Sequence, residues 1–366
     1  MLLLKSIERI PTPSLHCAFT SICQWRGHTY IAYRQAQSHN PNPPGHIIIQ
    51  RSHDLQTWEV AAELRTGGDD RDPHLIVTED RIYTVWGAYT PYYDAWAGRL
   101  SATCADLWTY GAWSVDGTAW GPAYRLCRPW SWLWTCVEDR QPTPEPGLLT
   151  RAMGRTAEPT PAPLWYGASY DIGDGTVDRC HSLTFWRGAS PLLWERWAIM
   201  IDPTKTSSDW QPSEPALFWK DADTLGCIAR TEQETLYGEA VRPFVVWTWE
   251  PLGGLGEAGI HAPAVLVLQN VGVLVAGREY AAGKRQGDKP LTCCTTIWRL
   301  DPGKPQVTAP LRLPSAGDCS YPGLVWDAER QEVLIVWYSQ HDRDTTIVGM
   351  PHAADIYLGR LTVEED

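Results

Sequence analysis

The sequence predicts an all-β fold, a six-bladed β-propeller of four-stranded antiparallel blades, and two observations carry that expectation. The first is a repeat. Six segments look alike: Gly27-HTYIAYRQ, Asp80-RIYTVWGAY, Ala162-PLWYGASY, Asp223-TLGCIARTE, Val271-GVLVAGREY and Gln331-EVLIVWYSQ. Each is a short run of apolar, β-branched and aromatic residues with a period of two, the pattern of a strand. They recur at a spacing of roughly 50 to 80 residues, enough chain for one blade with variable loops. The second is a turn. Ser52-HDLQTW and Ser114-VDGTAW both run Ser-x-Asp-x-x-x-Trp. An Asp two residues after a Ser can accept hydrogen bonds from the backbone N–H groups of a turn, and the Trp closes it from the far side. These turns read as structural hairpins between outer strands of a blade.

The remaining elements follow from the repeat. Ile47-IIQRSHDLQTWE, Phe244-VVWTWE, Thr295-TIWRL and Asp355-IYLGRLTV read as outer strands that follow copies one, four, five and six. The N-terminal segment is expected to pair in the last blade, which removes free edges. Residues 142–163 and 253–259 read as loops. The repeat continues across both, so 1–366 is expected to be one domain.

Composition agrees. A length of 366 residues would suggest two domains, but each propeller blade adds its own small core. The 30 Gly and 29 Pro leave no room for a long helix. Hydrophobic residues at 43% and charged residues at 20% are an ordinary globular balance. The 21 Trp either pack between blades or line a sugar site. A net charge of −12 argues against nucleic acid and anionic membranes as partners, although not against a small anionic substrate in a locally basic pocket. No apolar run approaches the roughly 18 residues of a membrane helix. The first residues hold three Leu before Lys5, too few for a signal-peptide core. A cytoplasmic location is therefore the default, and secretion follows only if a leader has been removed. The ten Cys form no C-x-x-C pair, so reduced thiols and no metal or other cofactor are expected. Asp171-IGDGTVD has acidic spacing but lacks the terminal Glu of a calcium loop. No nucleophile elbow, phosphate loop, zinc-protease motif or dinucleotide fingerprint is present.

The repeat, the Ser-x-Asp turns and the segments His16-CAFTSI, Tyr33-RQAQSH, Asp70-RDPHL, Trp132-LW and Gly317-DCSYPGLVW together resemble the sialidase superfamily of six-bladed propellers, over nearly the whole chain. The resemblance implies a carbohydrate substrate and a glycoside hydrolase with a Tyr nucleophile activated by Glu, an exception to the two-carboxylate rule. It places the nucleophile at Tyr321 and its partner at Glu214. It places two members of a carboxylate-clamping arginine triad at Arg230 and Arg278, since guanidinium pairs bidentately with carboxylate. Arg34 matches a site-floor Arg and Asp72 a substrate-contacting Asp-Pro. Arg71, Trp134 and His261 are further candidate substrate contacts, Trp134 as a stacking wall for a sugar.

Two departures alter the expectation. His16 stands where the first triad Arg should be; Arg9-Ile-Pro resembles the family's opening motif but lies too early. The loop after Arg34 has no Asp for the acid/base, leaving His39, with Asp69 and Asp70 as alternatives on the next loop. A His titrating near neutrality can do that work. The expectation is an exo-acting glycosidase on a terminal, acidic sugar other than sialic acid itself. A polysaccharide lyase acting on a uronic acid and a non-catalytic glycan-binding propeller stay open.

Overall fold

In the computed structural model the described residues are 2–94, 99–139, 164–172, 182–202, 210–255, 259–269, 271–280, 285–286, 289–290, 293–301, 303–343 and 353–363. The candidate loop 142–163 lies outside them, as do the middle of 253–259 and most of the acidic segment after Asp171. Six four-stranded antiparallel sheets form the blades of a propeller. The innermost strands are His16–Trp25, Asp69–Val77, Ser131–Glu138, Ser213–Trp219, Ile260–Leu268 and Ser320–Asp327 for blades 1 to 6. Each touches the innermost strands of its two neighbours, which closes the ring around an axial cavity.

All six sequence repeats are the second strand of their blade: His28–Ala36, Ile82–Asp94, Trp165–Asp171, Thr224–Arg230, Gly272–Tyr280 and Glu332–Ser339. These strands read as nearly continuous buried runs because both sheet faces are covered by adjacent blades. The blade closure holds too. Leu2–Arg9 pairs antiparallel with Asp355–Val363 and becomes the outermost strand of blade 6. Arg9, on that outer strand, is ion-paired with Asp355 at 3.0 Å and does not supply the missing clamp Arg.

One strand assignment is corrected. The third strand of blade 4 is Thr235–Val241, and only Thr248–Pro251 of the Phe244 segment joins the sheet. Pro243 has no N–H for a ladder and turns the chain. Phe244 is then buried as a plug against Tyr166 and Phe185, at ring separations of 5.0 and 5.9 Å.

Both Ser-x-Asp turns form as the sequence implies. Asp54 Oδ1 accepts from Gln56 N and Thr57 N at 2.8 and 2.7 Å. Asp116 Oδ1 accepts from Thr118 N and Ala119 N at 2.7 and 2.8 Å. These backbone donors hold both carboxyls well below the ordinary Asp range.

What positions the site is a bulge repeated in every innermost strand. The register against the second strand slips at Ala18/Ser21, Arg71/His74, Leu133/Thr135, Ser213/Ala216, His261/Ala264 and Ser320/Gly323. A bulge bends a strand and re-aims a side chain. Phe19, Asp72, Glu214, Ala262 and Tyr321 occupy these bulges with φ from 46° to 60°, and Trp134 occupies the sixth. Four of them precede a proline, at Pro73, Pro215, Pro263 and Pro322. Proline leaves no ladder N–H unpaired at the slip. Left-handed backbone at non-Gly residues costs about 1–3 kcal/mol each and persists where surroundings impose it. Ala262, with no functional side chain, exposes that cost. Ala262→Gly should raise stability by about 0.5–1 kcal/mol in urea unfolding; no gain would show that the bulge carries no strain.

Candidate active site

The antiparallel register brings the start of each innermost strand to the end of the second strand, so one face of the propeller collects both. Residues in the same second-strand register are Arg34, Gly87, Ser169, Arg230, Arg278 and Tyr338. Around the axis the bulge residues alternate. Asp72, Glu214 and Tyr321 come from blades 2, 4 and 6, and Phe19, Trp134 and Ala262 from blades 1, 3 and 5.

Tyr321 and Glu214 meet. The Tyr321 hydroxyl donates to Glu214 Oε1 at 2.8 Å, and Arg230 Nη1 donates to the same oxygen at 3.0 Å. Ala262 N donates to Glu214 Oε2 at 2.7 Å. Glu214 is thus a buried carboxylate with both oxygens engaged. Burial and the negative charge of Glu214 push the Tyr321 phenol well above its ordinary range, so the resting side chain is neutral. Phe19 and Trp134 pack edge-on against its ring at 5.0 and 6.2 Å, and the Arg278 guanidinium lies 5.1 Å from its centroid.

A second cluster centres on Asp318. Its Oδ2 accepts from His16 Nε2 at 2.8 Å and from His39 Nδ1 at 2.6 Å. Its Oδ1 accepts from the Tyr338 hydroxyl at 2.7 Å and faces Arg278 Nη2 at 3.3 Å. Burial pushes this carboxyl up, but the two histidines and Arg278 outweigh it and hold it well below the usual Asp range. His16 is fully buried, and burial lowers its pKa despite Asp318. His39 is half-exposed. Among the described residues, His16, His39 and Asp318 form the group that could hold a metal, with ligand atoms within 4.8 Å of one another. Arg278 beside Asp318 disfavours a second cation there.

The other candidates fall into three positions. Arg278 is spent on the protein: Nε donates to Cys319 O at 2.8 Å, Nη2 to Tyr338 at 2.9 Å and Nη1 to Tyr280 at 3.4 Å. His261 closes this side, its Nδ1 3.2 Å from the Tyr280 hydroxyl, and burial with the charges of Arg230 and Arg278 keeps it neutral. Arg71 pairs with Asp69 at 2.8 Å and donates to His39 O at 2.9 Å, above the rings of Phe19 and Tyr89. Trp134, only 4% exposed, packs against His74, Trp132 and Tyr170 and fills the channel rather than standing as an open wall.

Two candidates are not brought to the reacting centre. Arg34 is fully buried, bound to Asp69 at 2.6 and 3.0 Å and to the carbonyls of Ser38 and Asn40 at 2.8 and 3.0 Å. It positions the His39 loop and has no exposed surface for substrate. Asp70 turns into blade 2, where Trp86 Nε1 at 2.8 Å and Thr66 at 2.6 and 2.9 Å bind it. Burial pushes Asp70 up to about 6, and the side chain has no exposed surface. Asp69 is likewise taken up by Arg34, Arg71 and Gly45 N.

Asp72 stays on the axis with Oδ1 buried and without a hydrogen-bond partner. Burial pushes its carboxyl up to about 8, against the pull of Arg71. Because the folded-state pKa exceeds the unfolded value near 3.9, its contribution to stability is full below that value and is lost as pH rises through about 8. Asp72→Asn should therefore lose less Tm than the parent between about pH 6 and pH 9. Equal losses would contradict a protonated Asp72.

Sequence reasoning passed over Asp318, Tyr338, Tyr280 and Phe19. Asp318 sits inside the quoted Gly317-DCSYPGLVW segment, and Tyr338 occupies in the sixth repeat the register of Arg230 and Arg278.

No protein-family model matches the chain, and no curated protein sequence is similar to it. Solved structures are. A protein of unknown function from Dyadobacter fermentans matches at a TM-score of 0.68 and 18% identity, over 99% of both chains. Trypanosoma rangeli sialidase in complex with sialic acid matches at a TM-score of 0.58 and 12% identity, over 98% of this chain, which spans 58% of that one. Phage phi92 endosialidase matches at a TM-score of 0.58 and 10% identity, over 99% of this chain and 69% of that one. The chain has the sialidase-like six-bladed propeller fold.

Proposed function

We propose that the protein is a glycoside hydrolase that removes a terminal sugar, with Tyr321 as nucleophile and Glu214 as its base. The Tyr321–Glu214 hydrogen bond of 2.8 Å at the axis carries this reading. A phenol titrating near 10 is a poor nucleophile at neutral pH unless a base takes its proton as the new bond forms. Glu214 is placed to do so, and Arg230 donates to the same oxygen. A neutral phenol also approaches an anionic sugar without charge repulsion. His39 protonates the leaving oxygen, and Asp318 behind it holds the ring through Nδ1.

Charge supports an acidic sugar. The guanidinium groups of Arg71, Arg230 and Arg278 lie around the site, paired with Asp69, Glu214 and Asp318, and burial pushes the Asp72 carboxyl up to about 8, which favours its neutral form. With Asp318 set against Arg278, the clamp differs from three converging guanidinium groups, which supports a uronic acid over sialic acid.

A panel of chromogenic glycosides that includes sialosides, glucuronides and neutral sugars tests the reading. Release of chromophore from a glucuronide supports it. An unsaturated product absorbing at about 235 nm would replace hydrolysis with elimination by Tyr and His on a uronic acid. Saturable sugar binding without product at any pH would make the propeller a glycan-binding module.

A further inference from the structure

A pair of thiols lies behind the Asp318 cluster and takes no part in the chemistry proposed above. Cys293 opens the third strand of blade 5, and Cys319 immediately precedes the first strand of blade 6. Their sulfur atoms are 3.6 Å apart. Cys319 is fully buried, whereas Cys293 is part-exposed and lies 3.1 Å from Gly317 O. Cys17, Cys23, Cys127, Cys136, Cys227, Cys293, Cys294 and Cys319 are free thiols, and Cys293 and Cys319 are in sulfur–sulfur contact between two blades at the edge of the site.

We propose that Cys293 and Cys319 form a dithiol modification site that a low-molecular-weight disulfide such as oxidised glutathione converts to an inter-blade disulfide. The Cys293 thiolate attacks one sulfur of the oxidant, giving a mixed disulfide and one thiolate leaving group. Cys319 then loses its proton and attacks the Cys293 sulfur, and the second thiolate leaves. Two protein thiols are oxidised and one oxidant disulfide is reduced to two thiols. The sulfurs must close from 3.6 Å to about 2.05 Å.

The division of labour fits the surroundings. The hydrogen bond from Cys319 and the nearby Arg278 charge bring the Cys293 thiol down to about 7 against burial, while Cys319 holds its proton. The attacking thiol is the accessible one, and the resolving thiol is the buried one. The consequence for the site is direct. Cys319 O is an acceptor of Arg278, and Cys319 lies between Asp318 and the Ser320–Tyr321 bulge. Pulling its side chain toward blade 5 moves the backbone that aims Tyr321.

The test uses the full chain equilibrated with graded ratios of oxidised to reduced glutathione, read by intact mass and peptide mapping. The expected product has lost two hydrogen atoms and carries a Cys293–Cys319 cross-link. Cys293→Ser and Cys319→Ser should each abolish it, and Cys294→Ser should leave it unchanged. Before oxidation, iodoacetamide at neutral pH should label Cys293 about tenfold faster than Cys294. A glutathione adduct that stays on Cys293, a cross-link to another cysteine, or equal labelling of Cys293 and Cys294 would overturn the proposal. None of these readouts depends on the glycosidase reading.

Discussion

Tyr321→Phe is expected to lower kcat/KM by about four orders of magnitude or more while substrate binding and the fold persist. The substitution removes one oxygen. That oxygen donates to Glu214 Oε1 and is the attacking atom of the proposed mechanism. Glu214 keeps Arg230 and Ala262 N as partners, so the carboxylate is not orphaned and the stability change stays within about 1–2 kcal/mol. Phe keeps the ring contacts to Phe19 and Trp134. Glu214→Gln should also slow turnover, by a smaller factor of about 10²–10⁴, because the nucleophile survives and only its base is lost. Turnover by Tyr321→Phe at the parent rate would sink the mechanism; a collapsed Tm would leave the Glu214→Gln kinetics to decide it.

Arg34→Ala is the substitution expected to cost most in stability. Arg34 and Asp69 are both fully buried and joined by two hydrogen bonds. Removing one partner of a buried pair costs about 3–5 kcal/mol, because the other charge remains desolvated. Arg71 and Gly45 N still bind Asp69, which sets the expectation at the lower end. The same change frees the carbonyls of Ser38 and Asn40 on either side of His39. Arg34→Ala should therefore lower kcat more than KM and flatten the acid-dependent arm of the pH–rate profile. Urea unfolding with unchanged midpoint would refute the pairing argument. A lowered midpoint with an unchanged pH profile would show that the loop holds His39 without Arg34.

Much of the fold was legible because each blade writes its second strand as a buried apolar run, and the register of that strand is the same six times. The outer strand of blade 4 was misread because an apolar run can be a plug as easily as a strand. Phe244 is apolar for burial against aromatic rings, not for pairing. At the site, Tyr321, Glu214, Arg230, Arg278, His16 and His39 were each visible as single residues, and the structure gathers them. Asp70 and Arg34 show the limit. Neighbours on one strand point to opposite faces, so Asp70 enters the blade while Arg71 does not, and the bulge that follows Arg71 breaks the alternation and leaves Asp72 at the axis. Asp318 was hidden because its partners lie 302, 279 and 40 residues away in sequence. The bulges were legible in part, in the recurring X-Pro of four innermost strands, where a residue before proline signals a break in the ladder.

The six-bladed fold that the sequence first implied gains a specific meaning from those bulges, which aim Tyr321 and Glu214 at one another across the axis. The most direct measurement is to trap the covalent intermediate. The full chain is incubated with a fluorinated glycosyl fluoride of the sugar class the panel identifies, then digested and mapped by mass spectrometry. The account predicts a glycosyl adduct on Tyr321, absent from Tyr321→Phe. An adduct on another side chain, or product formed with no adduct on Tyr321, would contradict it.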